Sequence, residues 1–190
     1  MKPTASLTAI ILAGFLLCLP AFAAEPQNAG QYKITQLPIS DFETYNCDAE
    51  CEANYTFYEF EQLDPQLQKA LAEQNKQNAF GLDGDGDTGY YFLPPKGDIQ
   101  VMLATRDIVV NSGRLVTMKN NQLIDQMLIS FGGPDDELVI QFELDKNYQL
   151  TLKRGISDTD HEKPVVWHEL WVYQLGDDGK LSEVKKTLIK

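Results

Sequence analysis

The chain has 190 residues, with 16 basic against 28 acidic side chains and a formal charge of −12. A surface this acidic repels nucleic acid and anionic lipid headgroups, which excludes functions built on electrostatic capture of either. It suits cations, basic proteins or simple solubility.

At the N-terminus Lys2 precedes the apolar run Ala9 to Leu19, which is followed by Pro20 and the small-residue site Ala21-Phe22-Ala23. That order is the n-region, h-region and cleavage site of a secretory signal peptide over residues 1–24, with cleavage expected after Ala23 or Ala24. The apolar run is about half the roughly 20 residues that a spanning helix needs, so no membrane insertion is expected after cleavage. A lipid anchor at Cys18 is disfavoured because Leu17 stands where a small residue is required. The expected location is periplasmic or secreted. Residues 25–190 have the size of one domain and can bury a real core.

Removal of the signal leaves Cys47 and Cys51 as the cysteine inventory. An even pair in an oxidising compartment most simply forms a disulfide. Three residues separate the sulfurs and no helix start follows them, so redox catalysis is not expected.

Tyr32 to Leu37 reads as a first strand and Tyr55 to Phe60 as an aromatic one. Asp64-Pro65 is an N-cap followed by proline at the first helical position, and Leu67, Ala70 and Leu71 recur at helical spacing. An amphipathic helix near residues 65–79 is predicted, its polar face in water and its apolar face on a sheet.

The next segment, Leu82 to Gly89, alternates carboxylates with glycine at Asp83, Asp85 and Asp87. Oxygen ligands so spaced can wrap a hard cation, and the segment resembles the front half of a calcium-binding loop of the EF-hand family. It departs from that pattern where Thr88 replaces the turn glycine and Pro94 the bidentate glutamate. Calcium is thus the one cofactor this reading suggests. The plain alternative is a connector whose Asp and Gly residues satisfy turn geometry.

From Tyr90 onward the hydrophobic period is two. Ile99, Val101 and Leu103 alternate with polar or small neighbours, and turns are expected at Asn111-Ser112-Gly113 and Asn120-Asn121. Leu138 to Leu144 and Tyr148 to Leu152 form one predicted hairpin. Val165 to Leu175 and Leu181 to Ile189 form another, around Gly176-Asp177-Asp178-Gly179. Short connections between successive strands require antiparallel pairing. The predicted class is α+β, mostly an antiparallel β meander, either an open twisted sheet or a closed barrel, with one helix.

For chemistry, no G-x-S-x-G or H-E-x-x-H arrangement is present, and Ser112, Ser130, Ser157 and Ser182 lack recognised flanks, so no catalytic residue is assigned. Asp158, Asp160, His161 and Glu162 form a weaker metal candidate, and His168 reads as a satisfied strand histidine. Trp167, Trp171 and Tyr173 alternate on one predicted strand and would make a binding surface if exposed. The leading expectation is an exported non-catalytic binding protein, such as an inhibitor or immunity factor, using an acidic surface against a basic protein partner. A calcium-dependent structural or adhesive module and a small hydrolase of unrecognised type are the alternatives.

Overall fold

The computed structural model describes residues 31–40, 56–75, 88–107, 111–132, 137–157 and 164–189. They form strands β1 (Ile39–Ser40), β2 (Tyr58–Glu59), β3 (Thr88–Phe92), β4 (Gln100–Asp107) and β5 (Asn111–Lys119). There follow β6 (Gln122–Gly132), β7 (Leu138–Leu144), β8 (Gln149–Ile156), β9 (Val166–Leu175) and β10 (Leu181–Leu188), with one helix, α1 (Pro65–Asn75). β2 to β10 neighbour one another in chain order, every pair antiparallel, and β1 adds to β7. The path ends at β2 and β10 without closing on itself, so the sheet is open and the barrel alternative is excluded.

The turn residues explain the meander. Asn120 and Asn121 take φ of 51° and 58°, as a two-residue hairpin between right-twisted strands requires. Asn111-Ser112-Gly113, expected as a turn, instead opens β5 and pairs with Asp107 to Thr105 of β4. Tyr32 to Leu37 contributes one parallel bridge, Ile34 to Phe92, in place of a strand. Among its described residues the aromatic segment pairs only through Tyr58 and Glu59 before a 3-10 turn at Phe60–Gln62.

α1 begins as its sequence dictates. The Asp64 carboxylate accepts the Gln66 N–H at 2.8 Å, and the Tyr32 hydroxyl accepts the Asp64 N–H at 2.6 Å. Leu67 and Leu71 are buried with Tyr90, Phe92, Met102, Ala104, Val116 and Met118, so α1 covers the outer face of β3 to β5. Each such leucine contributes roughly 1.5–3 kcal/mol of burial.

The inner face forms a second core. Tyr91, Val101, Leu103, Leu115 and Ile129 from the first half meet Phe142, Leu144, Leu150, Leu152 and Leu175 from the second. The sheet therefore curls until one face of β3–β6 lies against the same face of β7–β10. Backbone pairing at the fold line is slight: among the described residues β6 and β7 share the single register pair Phe131 and Ile140. What fastens the curl lies at the opposite end of the second half. Thr117 Oγ1 donates to the Gly179 carbonyl at 2.6 Å, the Leu181 N–H donates to Asp125 Oδ2 at 2.8 Å, and Lys96 Nζ donates to the Leu175 carbonyl. Gly179 holds φ 82°, a conformation that a side chain would strain, and a Cβ there would stand 2.7 Å from Ile124 Cδ1, which would have to shift.

Candidate functional site

The sequence-selected aromatics on β9 are not equivalent, and the reason is a bulge. Along β8 and β9 the register runs Leu150 to Tyr173, Leu152 to Trp171 and Arg154 to Glu169, then shifts so that Gly155 faces Trp167. His168 is the extra residue. Trp171 and Tyr173 thus share the inner face with Leu152 and Leu150. Trp167 instead lies over Gly155, where a Cβ would stand 2.9 Å from its Cε3. Adjacent strand residues point to opposite faces, so Trp167 is separated from the other two rings.

A second bulge, at Val184 on β10, builds the rest of the cluster. Leu181 and Glu183 pair with Leu175 and Tyr173, whereas beyond the bulge Lys185 and Lys186 pair with Val172 and Trp171. Lys186 is carried onto the inner face, where its Nζ stands 3.9 Å from the centre of the Trp171 ring and 2.9 Å from Glu169 Oε1. Glu169 Oε2 accepts the Trp171 indole N–H at 2.9 Å and lies 3.7 Å from Arg154 Nη1. The Trp171 and Tyr173 rings are parallel within 1°, their centres 6.1 Å apart.

One carboxylate thus serves two cations and an indole. Hydrogen bonding from Lys186, then from Trp171, holds the Glu169 carboxyl below its ordinary range. Burial, with the Glu183 charge adding to it, pushes the Tyr173 phenol up. Chemically the group can bind and orient; it holds cation, carboxylate and ring together without a nucleophile at its centre. Trp171 commits its N–H and part of one ring face to neighbours within the chain, and both it and Tyr173 pack half-buried against the inner core.

The other sequence-selected residues fall elsewhere. Cys47 and Cys51, Asp83, Asp85 and Asp87, and the Asp158, Asp160, His161 and Glu162 group all lie outside the described residues. Among the described residues, no group of three or more His, Cys, Asp or Glu side chains is placed to hold a metal. His168 is exposed, and its carbonyl accepts the Ile189 N–H at 2.8 Å.

Charge is divided unevenly along the chain. The described residues carry 12 basic and 14 acidic side chains, so the sheet and α1 are close to neutral and most of the −12 belongs to the remainder. Register places the described ends Thr88, Asp107, Asn111, Gly132, Leu138, Ile156 and Val166 at one end of the sheet. Residues 108–110, 133–136 and 158–163 connect such ends, and residues 76–87 lead from α1 into Thr88. Between them they contain eight acidic and two basic residues. The same end carries the exposed apolar row Leu138, Ile156 and Val166, paired side by side across β7, β8 and β9. No protein-family model, curated protein or solved structure matches the chain.

Proposed function

We propose that this is an exported, non-catalytic binding protein that docks a basic protein partner, in the manner of an inhibitor or immunity factor. The observation that carries the reading is the segregation of charge: a nearly neutral sheet, with acidic connections joined to it at one end. An antiparallel meander returns alternate connections to the same end, so the segments that carry the acids from Asp83 to Glu162 are attached to the sheet at that end. The exposed row Leu138, Ile156 and Val166 supplies apolar surface beside them. Interfaces commonly combine such an apolar centre with a charged rim. Export rests on the pattern of residues 1–24.

The test is titration calorimetry of the purified protein against a panel of basic wall-degrading enzymes at about 50 mM and about 500 mM salt, bracketing strong and weak electrostatics. Binding that weakens at high salt, and weakens further when Asp135, Asp136, Asp158 and Asp160 are changed to asparagine, supports the reading. Binding that ignores both salt and these substitutions, or no binding to any basic protein, sinks it.

A further inference from the structure

Among the described residues β10 is a free edge of the open sheet, and its side chains from Ser182 to Ile189 are all exposed. Val184 and Leu188 are 60% and 68% exposed. An edge strand offers a row of unpaired N–H and C=O groups, and which residues offer them can be read from the bonds at its two ends. The Leu181 N–H points away from β9, to Asp125, so by alternation Glu183 also faces outward. The Ile189 N–H points toward β9, to the His168 carbonyl. By the same alternation Thr187 and Lys185 face inward, while Lys186 and Leu188 face outward. The bulge at Val184 is what changes the phase between the two sets.

The outward positions 181, 183, 186 and 188 are symmetric about the point between Val184 and Lys185. We propose that β10 pairs antiparallel with β10 of a second copy about a two-fold axis through that point. In this register Glu183 faces Lys186 of the second copy, Ser182 faces Thr187, and Val184 faces Lys185. Side-chain faces agree as well. Glu183 and Lys186 lie on the side of Tyr173 and Trp171, and Ser182 and Thr187 on the side of Gln174 and Leu170. Centring the axis on residue 183 or on 186 sets Glu183 or Lys186 against itself, and both registers lose phase at the bulge. Because Asp125 already takes the Leu181 N–H, pairing starts at Ser182, and the two symmetric Glu183 and Lys186 pairs supply about four backbone hydrogen bonds. An interface of this size is isologous and weak.

Sedimentation equilibrium of the purified protein from about 10 μM to about 1 mM, spanning weak affinities, reads the association directly. The expected result is a mass that rises toward twice the monomer. Glu183→Pro removes an outward N–H that β9 does not use, a position where an edge strand tolerates proline, and should remain monomeric. Glu183→Lys keeps the backbone group and sets lysine against Lys186 of the second copy, so it should weaken association at least about tenfold. The double variant Ser182→Cys/Thr187→Cys should give a disulfide-linked dimer on oxidation, because these two positions on one extended strand are too far apart to bond within a copy. A monomer over the whole range, or a dimer indifferent to both Glu183 variants, overturns the proposal.

Discussion

Lys186 Nζ stands 3.9 Å from the centre of the Trp171 ring and reaches Glu169 at 2.9 Å, so one ammonium joins the last two strands through a ring and a carboxylate at once. The Glu169 carboxyl is held below its ordinary range by these contacts. Its contribution to stability is therefore complete above that ordinary range and is lost as pH falls through the lowered value. Urea unfolding of Glu169→Gln and of the parent chain should differ more at pH 7 than at about pH 3, where the carboxylate is being protonated in both states. Equal differences at the two pH values would show that Glu169 gains nothing from its cations.

Gly155 is required by the bulge that separates Trp167 from Trp171. A Cβ there would stand 2.6 Å from the Val166 carbonyl oxygen and 2.8 Å from Val165 Cγ1. Gly155→Ala is expected to cost about 1–3 kcal/mol by overpacking, read as a lower urea midpoint with an unchanged slope. The tryptophan emission spectrum should shift with it, since Trp167 must move.

Thr117 is fully buried, and its hydroxyl donates to the Gly179 carbonyl across the curl. Thr117→Val keeps the shape and removes the donor. The expected loss is about 1–3 kcal/mol in chemical denaturation, from a buried carbonyl left without its partner.

Leu71 of α1 is fully buried, at 0% exposure against the outer face of the sheet. Leu71→Ala should destabilise by about 2–5 kcal/mol, the usual range for emptying a packed site. Calorimetric melting checks it. The solvent-facing pair Lys69 and Glu73, 3.9 Å apart, is the control: Lys69→Ala should change stability by less than about 1 kcal/mol.

Processing is predicted from the N-terminal pattern. Intact mass of the protein recovered from a bacterial periplasm should correspond to a chain beginning at Ala24 or Glu25. A mass that retains Met1 would remove the export reading.

Local chemistry made much of the architecture legible from sequence. Asp64-Pro65 and the Leu67, Leu71 spacing mark α1, the asparagine pair marks the β5–β6 hairpin, and period-two alternation marks β7, β8 and β9. Asn111-Ser112-Gly113 misled, because turn-forming residues become strand when a neighbouring strand supplies the ladder. The aromatic and charged cluster was less visible. Without the extra residue His168, Trp167 would have faced Ile156; without Val184, Lys186 would have faced Leu170 on the other side of the sheet. Bulges arise from how two strands pair, and neither strand announces them alone. The attachment of the acidic segments to one end of the sheet is likewise a product of topology, since it follows only once the strand order is known.

The single register pair between Phe131 and Ile140 has a consequence for how the molecule opens. Its two halves are joined there almost wholly by side-chain packing, while each half keeps continuous ladders of its own. Amide hydrogen exchange should therefore divide the chain into two cooperative units, α1 with β2–β6 and β1 with β7–β10, whose boundary amides open at lower free energy than the centres of either. Breathing along that line would leave each ladder intact, and the molecule would flex as a hinged pair of plates.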